Sequence, residues 1–191
     1  MEEESRNWIK NIKILKGIKK TYLIIYIVAT KEEAKLLGGF TMKKKQEELI
    51  YQMNKFLANL HIFKTIVHNY HWNLKGEHFF TIHPMLDGVM SETDEHIDEV
   101  AERILMIGGR PFASLKVYLE HSMLQEIESK PYTGIEAVKG ILENFKLLLD
   151  EMNVALKMAA DLEDQETVDL FTGIGAAYQK HIWMYTAWMT K

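Results

Sequence analysis

The sequence predicts an all-α protein: a bundle of four long helices with one long crossover between the second and the third. Apolar residues recur at alternating steps of three and four in four segments, which is the spacing of a single helix stripe. Stop signals separate the segments, and the long stretch without a sustained period, residues 112–133, lies between segments two and three. No convincing strand pattern appears from Gln46 onward, so the helices are expected to pack against one another.

The first helix is predicted from Gln46 to near Gly76, and the second from about Ile82 to Ile107. The sequence Gly108-Gly109-Arg110-Pro111 follows directly and is typical of a helix end. The stripe of the first helix comprises Leu49, Met53, Phe56, Leu60, Phe63, Val67 and Tyr70. The stripe of the second comprises Leu86, Met90, Thr93, Ile97, Val100 and Ile104.

The crossover is predicted to contain a short helix at Ala113 to Leu119. The third helix begins near Gly134, and the fourth follows the acidic turn from Asp161 to Glu166. The third stripe comprises Val138, Leu142, Phe145, Leu149, Met152 and Leu156. The fourth comprises Phe171, Ile174, Tyr178, His181, Tyr185 and Trp188.

Composition bounds the chemistry that the chain can perform. Its 191 residues, 47% of them hydrophobic, suit one compact domain with a buried core. There is no cysteine, so a metal would have to be held by His, Asp and Glu, and a reducing cytoplasm is the expected location. The longest strongly apolar run, Leu23 to Ala29, is far shorter than the roughly 20 residues that cross a bilayer, so no membrane span is expected.

The N-terminal residues differ from the rest in charge. Residues 1–45 carry 11 Lys and Arg against 5 Glu, whereas the remainder carries 12 against 22. A basic tail of this kind either binds a polyanion such as DNA through phosphate contacts or is a solvated leader. Residues 1–41, with an apolar segment at 21–28, are interpreted as an N-terminal extension, either disordered or a start assigned too far upstream. The domain is then 42–191. Glu2, Glu3 and Glu4 argue against a signal peptide.

The second predicted helix carries a second, polar face. At 100° per residue, five side chains fall within a sector of roughly 100°, centred about 110° from the apolar stripe: His83, Asp87, Asp94, Asp98 and Glu102. A solvated charged face is the ordinary interpretation of scattered acids on a helix. Here the i, i+4 pairs His83 with Asp87 and Asp98 with Glu102 favour metal ligands, because such pairs stand on adjacent turns and can share a cation.

The two pairs cannot share an ion within one chain. Asp87 and Asp98 are 11 residues apart, which is roughly 16 Å along a helix. If a second copy lies antiparallel across a two-fold axis, His83 and Asp87 of one chain meet Asp98 and Glu102 of the other. The spacing therefore predicts a metal site between subunits. His71, at the end of the first helix, is a candidate third ligand on the His83 side, although a satisfied core histidine is the commoner role.

The candidate ligands lie within motifs that resemble those of a known family. The segment His71-Trp72-Asn-Leu-Lys-Gly76-Glu-His-Phe79-Phe80, with His83, Asp87 and Asp98-Glu-Val-Ala-Glu102-Arg103, is similar to the signature of the Dps mini-ferritins, which have a ferritin-like fold. Gly108-Gly109-Arg110-Pro111 and Lys180-His181-Ile-Trp183-Met184 also resemble family segments. The resemblance covers about 150 residues, from Met42 to the C-terminus.

The resemblance implies a shell of twelve identical subunits with ferroxidase centres at two-fold interfaces. There Fe²⁺ is oxidised to Fe³⁺, typically by hydrogen peroxide, and stored as mineral, which protects DNA. It further implies that one subunit supplies His71, His83 and Asp87 and its partner Asp98 and Glu102. Trp72 would either donate electrons that quench radicals or simply pack.

Other interpretations remain open from the sequence. Five acids near the start of the fourth helix either line an ion-entry pore or form an ordinary solvated cluster: Asp161, Glu163, Asp164, Glu166 and Asp169. The protein could instead be a DNA-compacting structural protein acting through its basic tail, chiefly Met42-Lys-Lys-Lys45. A third class is a protein that sequesters zinc or another metal without redox chemistry, which His and carboxylate ligands also permit.

Overall fold

The computed structural model describes residues 38–39 and 41–190. Four long helices dominate these residues, and the predicted all-α bundle with one crossover is confirmed. The elements in order are α1 (41–73), β1 (Leu74–Lys75), α2 (Phe79–Met106), α3 (Leu115–His121), β2 (Tyr132–Thr133), α4 (Gly134–Asp161) and α5 (Gln165–Met189). No helix in the described part is both long and apolar enough to cross a membrane.

The predicted N-terminal extension, 1–41, lies almost entirely outside the described residues, as does its apolar segment at 21–28. The domain boundary after residue 41 and the two interpretations of the extension therefore stay predictions. Residues 45–191 form one compact unit, which contains the bundle.

Three details differ from the predicted elements. Helix α2 begins at Phe79, three residues before the predicted start, because the helix makes nearly a full turn before its first buried residue, Ile82. The crossover helix α3 forms two residues later than predicted, with the Ser114 hydroxyl accepting a hydrogen bond from the backbone N–H of Val117. Two short strands form where none was predicted. They pair in parallel, with Leu74 opposite Tyr132.

The core forms where the predicted apolar stripes of the helices pack against one another. All seven residues of the α1 stripe are buried, and α1 packs edge to face on α4 and α5 through aromatic pairs. The ring centroids of Phe63 and Phe145 are 5.1 Å apart, and those of Phe56 and Phe171 are 5.6 Å apart. Burying one such side chain stabilises the fold by roughly 1.5–3 kcal/mol. Apolar packing therefore holds α1 against α4 and α5.

The α5 stripe leaves the core before its predicted end. Phe171, Tyr178 and Tyr185 are buried, but Trp188 is 41% exposed in the chain. At 100° per residue, Trp188 lies about 60° around the helix from Tyr185, at the edge of the stripe. Its ring contacts the edge of His78, at 5.3 Å between centroids. Its assignment to the buried stripe was wrong for this reason.

Helix α4 begins at a well-defined place. The Thr133 hydroxyl accepts a hydrogen bond from the backbone N–H of Glu136, and the Glu136 carboxylate accepts one from the backbone N–H of Thr133. This reciprocal cap satisfies donors that a helix start leaves unpaired. Further along α4, a Cβ at Gly140 would lie 2.1 Å from the hydroxyl oxygen of Tyr70. Glycine there lets the end of α1 lie directly against α4.

Candidate metal centre

The turn between α1 and α2 brings His71 and His83 together. Residues 74–78 reverse the chain, and Gly76 has a φ of +94°, a conformation that glycine adopts without strain. The two imidazole rings stack with centroids 3.8 Å apart. His71 Nδ1 donates a hydrogen bond to the backbone carbonyl of His83 at 3.3 Å. Because Nδ1 carries the proton in that bond, the lone pair of His71 lies on Nε2, where it can bind a metal.

Asp87 completes this cluster, which we call the histidine half-site: His71, His83 and Asp87. The carboxylate Oδ1 of Asp87 lies 3.6 Å from His71 Nδ1. Only 12% of the His71 side chain is exposed, against 60% for Asp87, so the cluster is open on the Asp87 side. The structure thus brings together all three side chains that the sequence assigned to one subunit.

His83 contains a buried polar atom without a partner. Its Nδ1 has no hydrogen bond to any described residue, and Phe79 stacks against the ring at 4.8 Å between centroids. A buried polar atom left unpaired costs about 1–3 kcal/mol, so such atoms are uncommon in folded proteins. Binding of a cation by Nδ1 itself would offset that cost. The donor set of two imidazoles and a carboxylate suits iron, manganese or zinc.

Asp98 and Glu102 lie elsewhere on α2, and we call them the carboxylate half-site. Both are exposed, and neither makes a hydrogen bond or ion pair with the described residues. Eleven residues of helix, roughly 16 Å, separate Asp98 from Asp87. No three His, Asp or Glu side chains in the described part of one chain, the histidine half-site included, are arranged to hold a metal ion. The structure does not bring the two half-sites together within one chain.

Two further residues of the predicted site region have defined surroundings. Trp72 is 74% exposed, so it does not pack into the core of its own chain, and its ring lies 4.9 Å from that of His68. Asp94, in the same polar sector of α2, is not free, because its carboxylate pairs with the ammonium of Lys64 on α1 at 2.5 Å.

Sequence reasoning missed a polar contact between α2 and α5. His181 Nε2 and the Glu92 carboxylate lie 2.5 Å apart, with His181 stacked on Phe145 at 4.7 Å between centroids. The hydrogen bond from His181 outweighs burial and holds the pKa of Glu92 below its usual range. Next to it, burial lowers the pKa of His96, whose Nδ1 lies 3.4 Å from the Tyr178 hydroxyl. No spacing in the sequence indicates these contacts, because 89 residues separate Glu92 from His181.

Arg103 links the end of α2 to the start of α5. Its guanidinium donates to the Asp164 carboxylate at 2.5 Å and to the Thr167 hydroxyl at 2.8 Å. Asp164 is also the N-cap of α5, accepting from the backbone N–H of Thr167. Asp164 therefore has a structural role, and the remaining acids of the proposed pore cluster stay a prediction. Arg103 immediately follows Glu102, so this contact fixes the backbone of the carboxylate half-site.

Comparison with known proteins places this fold in a class. Residues 50–191 match the model of the ferritin-like domain. A DNA protection during starvation protein 2 of Bacillus anthracis is 37% identical over 145 residues, which cover 76% of this chain and 99% of that protein. A DNA protection during starvation protein of Listeria innocua is 37% identical over 140 residues, covering 73% of this chain and 90% of that protein.

Solved structures agree. A Dps protein from Bacillus brevis superposes with a TM-score of 0.74 at 33% identity, covering 77% of this chain and 98% of that one. One from Vibrio cholerae, described as a member of a broad superfamily of ferritin-like diiron-carboxylate proteins, gives 0.74 at 29% identity, covering 77% and 92%. The chain therefore belongs to the Dps family of ferritin-like proteins, as the resemblance of its motifs predicted.

Proposed function

We propose that this protein oxidises Fe²⁺ at centres shared between two copies of the chain and stores the Fe³⁺ product. One observation carries the proposal. The histidine half-site is assembled in a single chain, while the carboxylate half-site lies on the same helix without a partner among the described residues. An antiparallel pairing of two α2 helices would complete two equivalent centres at once, each with two imidazoles and three carboxylates.

The residue types fit the chemistry of the substrate. Carboxylates are hard ligands that favour Fe³⁺, and a partly open site leaves room for an oxidant beside the metal. Hydrogen peroxide accepts two electrons, one from each of two Fe²⁺ ions, together with two protons from the solvent, and is reduced to two molecules of water without release of hydroxyl radical. Removing iron and peroxide together would protect DNA, in agreement with the names of the relatives from Bacillus and Listeria.

The proposal extends to the assembly and location of the protein. The resemblance to Dps proteins supports a shell of twelve subunits, in which each two-fold interface carries a pair of centres and the interior holds the mineral. Trp72, exposed beside His71, is the proposed electron donor that quenches radicals formed near the centre. The absence of cysteine supports a cytoplasmic location.

The first test is anaerobic loading with Fe²⁺ followed by stoichiometric hydrogen peroxide, with ferric absorbance and particle size recorded together. Fast oxidation inside a soluble shell of about twelve chains is expected, at least about a hundredfold faster than with Asp98→Ala. Glu99→Ala is the matched control, since Glu99 is an exposed acid next to Asp98 on another face of α2. Oxidation no faster than in buffer would refute the proposal and favour metal sequestration without redox chemistry.

A second candidate function is binding and compaction of DNA. The basic composition of residues 1–45 favours it, and the exposed Lys43 and Lys45 at the start of α1 belong to that segment. The acidic remainder of the chain opposes it. Retardation of DNA at low salt, lost on removing residues 1–45, would support this role. No retardation at low salt would exclude it.

A further inference from the structure

The ion pair between Lys64 and Asp94 lies in the middle of the polar sector of α2, between His83 and Glu102. We call this sector the pairing face. Lys64 is on α1 and Asp94 on α2, and their side chains are 32% and 52% exposed in the chain. Asp94 falls inside the polar sector of α2, between Asp87 and Asp98 along the helix. It is the one acid of that sector to which the proposed centre gives no role as a ligand.

The register of the proposed pairing locates Asp94 near the two-fold axis. The two ligand pairs, 83 with 87 and 98 with 102, are symmetric about the midpoint of α2 between residues 92 and 93. An antiparallel pairing that joins them must therefore place the axis beside that midpoint. Asp94 lies within two residues of it, so the Asp94 side chains of two copies would lie within roughly 10 Å of each other. This step rests on the proposed function.

Charge makes that location costly unless Asp94 is neutralised. Iron would neutralise Asp87, Asp98 and Glu102, but Asp94 is not part of the ligand set. Like charges brought together and away from water repel each other strongly. Lys64 supplies the opposite charge at 2.5 Å.

His61, which is near both residues, does not supply it. Its ring stacks on Tyr118 at 3.9 Å between centroids, and burial, followed by the charge of Lys64, lowers its pKa. His61 is therefore uncharged near neutral pH.

We propose that Lys64 is a positioning residue that neutralises Asp94 at the centre of the pairing face, and so lets two metal-free chains pair before iron arrives. Without Lys64, four carboxylates of each copy would face those of the other with no counter-charge from the described residues at the axis. Pairing would then depend on metal in both half-sites. The iron centre of the native protein is thus formed before iron binds, because pairing of the chains does not require the substrate.

The test measures assembly of the full chain without any iron chemistry. Lys64→Met is compared with the wild type by particle mass over a dilution series at low ionic strength, in a chelator and then with Zn²⁺ added. We expect the concentration for half-assembly of the variant to rise about tenfold or more in chelator. Zn²⁺, or high salt, should return it to the wild-type value.

Two further variants separate the effect of the Lys64 charge from other effects of the substitution. Lys64→Met combined with Asp94→Asn removes both members of the pair and should assemble in chelator like the wild type. Lys55→Met is the matched control, because Lys55 is also on α1 but pairs with Glu151 of α4, at 3.7 Å, away from the face.

Assembly of Lys64→Met equal to the wild type in chelator would overturn the inference, as would a double variant as weak as the single one. If the wild type fails to assemble with and without Zn²⁺, the shared centre itself is refuted. Slow iron oxidation by an assembled wild type would refute only the ferroxidase activity.

Discussion

The histidine half-site, shared by α1 and α2, and the carboxylate half-site on α2 are built in opposite ways. The two imidazoles of the histidine half-site are packed: His71 stacks on His83, and a backbone carbonyl fixes the orientation of the His71 ring. The side chains of the carboxylate half-site are exposed and make no hydrogen bond or ion pair with the described residues, while the backbone beneath them is held to α5 by Arg103. On the proposed function, one chain preorganises the two imidazoles, and the exposed carboxylates of Asp98 and Glu102 would be ordered by a partner and the metal.

Mixing two inactive variants tests whether the half-sites act across the interface, and it should give the strongest effect. Asp87→Ala and Asp98→Ala should each abolish fast oxidation. In a mixed pair, one centre carries both defects and the other carries neither. Co-assembly of equal amounts should therefore restore about a quarter of the wild-type centres, because half of the pairs are mixed and each has one intact centre. Stopped-flow oxidation of refolded mixtures measures this. If mixtures remain as inactive as the single variants, the half-sites do not combine between chains.

The anchoring of the carboxylate half-site is tested by Arg103→Met. Loss of the charged hydrogen bonds to Asp164 should lower the free energy of unfolding by about 2 kcal/mol at pH 7. The control is Glu166→Gln, because Glu166 lies 3.9 Å from Arg103 but is 78% exposed, and we expect a change within about 0.5 kcal/mol. Denaturant unfolding monitored by circular dichroism gives both values. An Arg103→Met protein as stable as the wild type would show that this contact does not hold the end of α2.

The difference in the free energy of unfolding between the wild type and Arg103→Met should depend on pH in one direction only. Burial alone would raise the pKa of Asp164, but hydrogen bonds from Thr167 and Arg103 outweigh it and hold the pKa below the ordinary value of 3.8. A carboxyl whose pKa is lowered by folding stabilises the fold above its ordinary pKa, and this stabilisation is lost as the pH falls through the lowered value. The gap between the wild type and Arg103→Met should therefore narrow below about pH 4. A gap that widens in acid would contradict this assignment.

A weaker effect on iron oxidation is expected at Trp72, which lies at the edge of the histidine half-site. Trp72→Phe keeps an aromatic ring but removes the easily oxidised indole, so the rate of iron oxidation should change less than about twofold. Radical signals and strand breaks in added DNA should increase on treatment with iron and peroxide. Trp183→Phe is the control, since Trp183 is similarly exposed, at 67%. Equal protection of DNA by the wild type and the Trp72 variant would remove the proposed electron-donor role.

The sequence predicted those parts of the fold and the site that depend on local periodicity. The stripe of α1 is entirely buried, and the short turn at Gly76 places His71 beside His83 as the pattern indicated. The pairs of Lys64 with Asp94 and of Glu92 with His181 could not be predicted, because their members are 30 and 89 residues apart on different helices. Such contacts depend on how far each helix is shifted along its neighbour and rotated about its own axis. The apolar periodicity fixes the shift only to within one helical turn. Trp188, at the end of the α5 stripe, shows the same limit, because periodicity assigned it to the core although its side chain is exposed.

The small parallel pairing of β1 with β2 bears on how the chain folds. It joins the turn after α1 to the start of α4, linking Leu74 to Tyr132 across 58 residues of chain. Closing so long a loop is entropically unfavourable until the helices between have collapsed, so this contact is expected to form late. The segment from Leu74 to His78 separates His71 from α2, so the two imidazoles would reach their final stacking only when the bundle closes. On the proposed function, nascent or partly unfolded chains would then hold iron weakly, and tight capture would need subunits that have both folded and paired.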